Sequence, residues 1–386
     1  MTTPIMNARG EVRVFGAAGK YVQGPGALDL IGEYAATLGT QAVVLIDALM
    51  FGPLEPRIAA SLRAVSIDAQ SVSISAEVTE ANIDAYLRLV NPRTDFVVGV
   101  GGGKTIDIAK GVAVRLAVPV VTVPTIASND SPASRAIAIY DENHQLASVP
   151  LMDRNPVLVV VDSQIVAGAP PRFLAAGIGD ALSKHFEVEA CIAAGAATMQ
   201  GTRSLRIAAI IAAGCYKILR ENAVIAIASM EASTIDQAFE DTVEAVVLLS
   251  GLSFENGGLS IAHAVTRGLM AVPSTSRALH GEQVSYGLLV QLALADESDE
   301  MMLDMAAFLG SVGLPDSLRA FDCDASPENY HMIAQRTLTA PHVNNFPATV
   351  NRESLIRAMW RVERLSHLVL GEVSEPLAAL KRKSAK

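Results

Sequence analysis

Hydrophobic and polar positions fall into two textures along the chain. Up to about residue 165, short, largely β-branched runs recur: QAVVLID (41–47), QSVSIS (70–75), DFVVGV (95–100), VPVVTVP (118–124) and PVLVVVD (156–162). Runs of this kind mark strands covered on both faces, as in a parallel sheet between layers of helix. Between them, GALDLIGEYAATLG (26–39) and EANIDAYLRLV (80–90) carry apolar residues at helical spacing. After Pro170-Pro171 the β-branched runs stop. PRFLAAGIGDALSKHFEVEACIAAG, TRSLRIAAIIAAGCYKILREN and GEQVSYGLLVQLALADESDEMMLDMAAFLGSVG are alanine-rich, with apolar residues at i, i+3 and i+4, the pattern of helices. The textures predict an α/β domain over residues 1–165 and an all-helical domain over 166–386, without internal repeats.

Composition narrows the function. Half the 386 residues are hydrophobic (51%), enough for two cores at roughly 150 residues per domain. The formal charge of −10 speaks against nucleic acid, which asks for a concentrated basic face. The densest basic run, Lys381, Arg382 and Lys383, lies in the terminal tail. The longest apolar stretches are broken by Arg115 and Lys217, short of the ~20 residues that cross a bilayer, and the first residues lack the pattern of a secretory signal. Three scattered cysteines, Cys191, Cys215 and Cys323, form neither a disulfide framework nor a metal-spaced cluster, which fits a reducing cytoplasm.

The segment GGGKTIDIAK (101–110) follows the strand run DFVVGV and opens a helical pattern. A glycine-rich turn there lets backbone amides approach phosphate, and a helix N-terminus favours an anion. Gly103-Lys104-Thr105 ends like a P-loop, but position 98 is valine; after Gly99 and Gly101 the sixth position of a Rossmann fingerprint is Lys104. The alternative is a tight turn without ligand, against which three successive glycines and a lysine at a strand end favour phosphate. Asp47 closes the strand run QAVVLID. It can accept hydrogen bonds from an adenosine ribose, favouring NAD over its 2′-phosphorylated counterpart, or it can cap the next helix.

Candidate metal ligands come from small, apolar surroundings. His263 sits in GGLSIAHAVTRG, His280 opens HGEQVSYG, and Asp180 lies in AAGIGDALSKHFE. Two neutral imidazoles and one carboxylate suit Zn²⁺ or Fe²⁺ and leave a position for substrate. Spacing leaves open whether the three converge. His144 belongs to the polar turn DENHQ, while His331, His342 and His367 fall in C-terminal helical patterns without a partner at helical spacing and read as structural.

Together these pieces resemble the iron-containing alcohol dehydrogenase family, in particular its glycerol dehydrogenase branch. The carrying motifs are GVGGGKTIDIAK, PTIASNDSPAS (124–134), GIGDALSKHFE (177–187), ENGGLSIAHAV (255–265) and HGEQVSYG (280–287), with similarity from KYVQGPGAL (20–28) to near residue 355. The resemblance implies a Rossmann-like NAD-binding domain, a helical domain, and an active site in the cleft between them. It implies metal ligation, by zinc in this branch, at Asp180, His263 and His280. It implies NAD contacts at Asp47, Gly102, Gly103, Lys104, Thr125, Ser128, Ser134, Ala136 and Tyr140, a substrate contact at Asp130, and a second role for His263 at the glycerol hydroxyls. A homo-octamer is the assembly it implies. Two departures stand out. Lys184 occupies the place where iron-type relatives carry a fourth, histidine ligand, and Thr266 and Arg267 stand where many relatives have a second helical histidine. Arg267, Arg277 and Lys184 would suit a phosphorylated polyol or hydroxy acid instead. A dehydroquinate-synthase-like lyase and a non-catalytic binding protein are the other classes to be tested.

Overall fold

The computed structural model describes residues 12–142 and 146–372, the side chains of 367–372 excepted; His144 and the basic tail lie outside the described residues. Six parallel strands, β1 (Tyr21–Gly24), β2 (Gln41–Asp47), β3 (Asp68–Ile74), β4 (Phe96–Gly101), β5 (Val120–Pro124) and, after a small hairpin of β6 (Ile139–Tyr140) and β7 (Leu146–Ser148), β8 (Leu158–Asp162), form one sheet. Their spatial order is β1-β8-β5-β4-β2-β3. Successive side chains point to opposite faces. Val44, Ile46, Val98 and Val100 therefore pack with the helices α1 (Ile31–Ala35) and α2 (Ala48–Ala64). Val43, Leu45 and Val97 face α3 (Glu80–Leu87) and α4 (Gly103–Leu116).

All five predicted strand runs are strands, shifted by two residues or fewer at their ends. Strand β1 and the hairpin fall outside the runs: β1 is four half-buried residues on the sheet edge, too short for a period to show. The helix expected over 26–39 is a 3₁₀ turn (Ala27–Leu30) followed by the short α1.

Every described regular element after Asp162 is helical: α5 (Ser163–Ala167), α6 (Pro171–Ala194), α7 (Arg206–Glu231), α8 (Gln237–Glu244), a π turn (Ala245–Leu249), α9 (Ser250–Gly257), α10 (Ile261–Leu269), α11 (His280–Leu294), α12 (Asp299–Ser311), α13 (Pro327–Thr337) and α14 (Arg352–Glu372), with 3₁₀ turns between some of them. The apolar stretch over 281–313 divides between α11 and α12, because the chain turns left-handed at Asp296 (φ 56°). The helical core also takes in Ala127, Val159 and Val161 together with Leu174 and Ile178, so the sheet's β5–β8 side is packed directly onto α6. Among the described residues no single helix is long and apolar enough to cross a membrane.

The topology fixes where a ligand of the sheet would sit. β2 and β4 are neighbours, yet the chain leaves β2 towards β3 and leaves β4 towards β5. The crevice at their carboxyl ends is thus a switch point, the usual binding position in open α/β sheets. Asp47 ends β2, and the glycine turn ends β4.

Candidate active site

Helix α6 places Asp180, Lys184 and Glu187 at i, i+4 and i+7, hence on one face. His263 lies in the first turn of α10, and His280 is the first residue of α11. The three elements bring one ligand atom each of Asp180, His263 and His280 within 4.8 Å of one another. Asp180 Oδ1 lies 3.1 Å from His263 Nε2 and 4.0 Å from His280 Nε2. Asp180 is buried and the His263 side chain is 9% exposed, whereas that of His280 is 47% exposed, so the cluster opens to solvent on the His280 side.

Glu187 orients this cluster. It is fully buried and accepts from the His263 ring at Nδ1 (2.6 Å), from the His263 amide (3.0 Å), from the Ser260 amide (2.7 Å) and from the Ser183 hydroxyl (3.2 Å). A carboxylate behind Nδ1 is the arrangement that orients a histidine to bind a metal through Nε2. Burial and Lys184 oppose a charge on the ring, but Glu187 and Asp180 raise its pKa above the ordinary value. Burial opposes ionisation of Glu187, but His263 and then Lys184 hold its pKa down at about 2. Burial likewise opposes a charge on Asp180, yet Lys184, His263 and His280 keep its carboxyl far below the usual range. Desolvation, then the positive charges of His263 and Lys184, lower the His280 ring below its ordinary value, in the direction of the neutral form that a ligand needs.

Lys184 is buried, with Nζ 2.5 Å from Asp180 Oδ1, 3.1 Å from His263 Nε2 and 3.3 Å from an oxygen of Asp130. Burial disfavours its charge, but Asp180, Asp130 and Glu187 raise its pKa above that of a free lysine. Asp130, in the turn that follows β5, also accepts from Ser250 Oγ at 2.9 Å. Ser250 begins α9 directly after the π turn, a helix irregularity that often marks a functional position.

Of the residues expected to contact a dinucleotide, Asp47, Gly102, Gly103, Lys104 and Thr125 lie at or beside the switch point; Ser128, Ser134, Ala136 and Tyr140 follow along the chain after β5. Asp47 caps α2 through the Leu49 amide (3.0 Å), while its second oxygen lies 3.4 Å from Thr105 Oγ1. A Cβ on Gly101 would fall 2.8 Å from Thr105 and 3.0 Å from the Asp47 Cβ, so glycine is needed for the turn to approach β2. Helix α4 begins at Gly103 with Gly102 before it and without a side-chain cap. Its first amides are positioned for an anion. The Thr125 amide donates to Gly101 O (3.1 Å), tying the loop after β5 to the same turn. Ser128 is partly exposed on that loop and Ser134 is buried further along it. Ala136 accepts from Lys110 through its carbonyl (2.8 Å), and the Tyr140 amide donates to Val78 O (2.8 Å). The Lys104 side chain turns outward, 65% exposed, to pair with Glu77.

Several residues that shape the site carry no distinguishing mark in the sequence. Fully buried Lys110 donates to Ser131 O (2.6 Å), Ser131 Oγ (3.1 Å) and Asp107 (3.2 Å). Asp107 accepts from Ser131 Oγ (2.6 Å) and the Ala138 amide (2.9 Å). This pair fixes the loop that carries Asp130 to Tyr140, although i, i+3 charges on a helix normally read as a solvated face. His342 corrects an expectation too. It lies in a 3₁₀ turn (Pro341–Asn345) rather than a long helix, and it is close enough to feel His263 and Glu187. Desolvation, with His263 next, lowers it to about 4. Arg267 donates to Thr339 O (2.9 Å), and Arg277 lines a depression beside the Arg172–Glu282 ion pair.

A doubly covered parallel sheet with a glycine turn at its switch point is packed on helices that converge an aspartate and two histidines, a two-part α/β-plus-helical protein with a candidate metal centre. Residues 18–163 match the family model described as iron-containing alcohol dehydrogenase. The chain is 38% identical over 353 residues to a glycerol dehydrogenase of Thermotoga maritima, covering 91% of this chain and 96% of that one. It is 36% identical over 306 residues to a glycolaldehyde reductase of Halobacterium salinarum (79% and 84%). The crystal structure of glycerol dehydrogenase from Schizosaccharomyces pombe superposes with a TM-score of 0.91 at 32% identity, covering 94% and 93% of the two chains. The chain belongs to the iron-containing alcohol dehydrogenase family.

Proposed function

We propose that the protein is an NAD-linked polyol dehydrogenase that oxidises glycerol at C2 to dihydroxyacetone, reversibly. The observation that carries this is the convergence of Asp180, His263 and His280 beside Asp130. The donor set fits a divalent ion, one carboxylate and two imidazoles with a carboxylate behind one ring. Zinc is the ion proposed and iron the alternative. Bound there, it would supply a Lewis acid that makes a substrate hydroxyl easier to ionise, and NAD would take the hydride. The chain's own residues do the rest. Glu187 fixes the His263 ring, and His263 and Asp130 meet the polyol hydroxyls. The loop pinned by Lys110 holds the cofactor residues at the switch point.

In this reading residues 1–165 bind NAD, and 166–386 bind metal and substrate. Asp47, Gly102, Gly103, Lys104, Thr125, Ser128, Ser134, Ala136 and Tyr140 form the dinucleotide surface. Lys104 would exchange Glu77 for a cofactor phosphate. The protein works in the cytoplasm as a homo-oligomer, a placement supported by three buried free thiols and by the family resemblance. A phosphorylated substrate has less support, because the Lys184 charge is already committed to Asp180 and Asp130.

The test is NADH formation by the purified protein over glycerol, vicinal diols, polyol phosphates and hydroxy acids, with NADP in parallel. Glycerol and vicinal diols should lead, with NAD preferred at least tenfold, about 1.4 kcal/mol. Faster turnover of a phosphorylated substrate, or no net NADH from glycerol, would overturn the proposal.

A further inference from the structure

Lys184 touches the two atoms that the proposed metal would use. Its Nζ is 2.5 Å from Asp180 Oδ1 and 3.1 Å from His263 Nε2, which are themselves 3.1 Å apart. Metal bonds to oxygen and nitrogen run about 2.0–2.2 Å, so an ion bonded to both atoms would lie within about 4 Å of the ammonium. Two cations that close, in a site that admits little water, repel strongly. The side chain is 1% exposed, so the charge cannot simply turn out into solvent. One further partner is in reach: Asp130, at 3.3 Å.

We propose that Lys184 is a tethered cation that competes with the divalent ion for Asp180 and His263. In one state the ammonium holds both groups; in the other the ion holds them and the ammonium rests on Asp130. The consequence is a site whose metal exchanges readily, and whose buried carboxylate keeps a counter-charge when the metal leaves. The inference rests on the reading of Asp180, His263 and His280 as ligands, and the experiment separates the two.

Zinc is titrated calorimetrically into chelator-treated full-length protein at pH 7.5, for the unmodified chain, Lys184→Met and His280→Ala. Methionine keeps the length of the side chain and drops the charge. Lys184→Met should bind zinc at least tenfold more tightly than the unmodified chain, and His280→Ala at least tenfold more weakly. If His280→Ala weakens zinc while Lys184→Met leaves it unchanged or weaker, the ligand reading stands and the competition is refuted. If neither variant changes zinc binding, both fall. Should Lys184→Met lose its fold for want of a counter-charge, Lys184→Met with Asp130→Asn, compared with Asp130→Asn alone, asks the same question in a charge-balanced site. Tighter zinc in the double variant supports the competition; equal or weaker zinc refutes it.

Discussion

Glu187 has four donors around two oxygens: two backbone amides, the Ser183 hydroxyl and the His263 ring. A glutamine would keep one acceptor and turn an NH₂ towards donors, leaving buried groups unpaired. The expected result for Glu187→Gln is a 10- to 100-fold fall in zinc affinity and in kcat, with a smaller change in KM for glycerol, the scale typical of groups that orient metal ligands. Calorimetry and steady-state kinetics measure both. Unchanged zinc affinity would show that the carboxylate serves packing only. At this scale the sequence was legible where a polar group interrupts small apolar neighbours, as at Asp180 and His263. Glu187 was hidden because a glutamate on a long helix looks the same whether it faces water or a histidine. His342 and Lys110 were hidden for the same reason: their partners come from distant segments.

The helices meet at the site because glycine lets them. A Cβ on Gly281 would come 1.7 Å from the Ala176 carbonyl oxygen, so α11 can begin against α6 only without a side chain there. His280 is its neighbour, and its distance to Asp180 depends on that approach. Gly281→Ala should push the start of α11 away from α6, lowering kcat for glycerol at least tenfold and weakening zinc, with NAD affinity preserved. Near-normal zinc affinity and turnover would show that the helix pair absorbs a methyl group without moving His280. Elements were readable to the extent that their period is long enough to repeat. The five buried strands and α6 announced themselves; β1 is four residues, and α2 contains Pro53 and Pro56, which interrupt a helical pattern by eye although the helix runs through them. The closeness of α6 and α11 left no periodic trace, since any small residue fits a pattern of small residues.

On the scale of the molecule, the cluster sits on a frame that does not need it. The sheet is held by apolar cores on its two faces, and the helical part by a third that runs from Ala127 to Leu365. A small zinc domain, by contrast, takes about 10–16 kcal/mol of its folding energy from the ion. Metal removal from this protein should therefore leave the fold in place, the more so because Lys184 lies against Asp180 and keeps that buried carboxylate paired. Asp47, Gly102, Gly103, Lys104 and Thr125 precede α6 in the chain and end or follow β2, β4 and β5, so NAD binding should survive as well. Dialysis against a chelator is expected to abolish glycerol oxidation, to shift the melting temperature by only a few degrees, and to leave the NAD dissociation constant within about twofold, a difference under 0.5 kcal/mol. Calorimetric titration of NAD and a thermal melt on the same stripped sample read the last two. Zinc added back should restore turnover. Loss of NAD binding or a collapse of the melting temperature on chelation would mean that the ion holds the two parts together rather than acting on substrate alone.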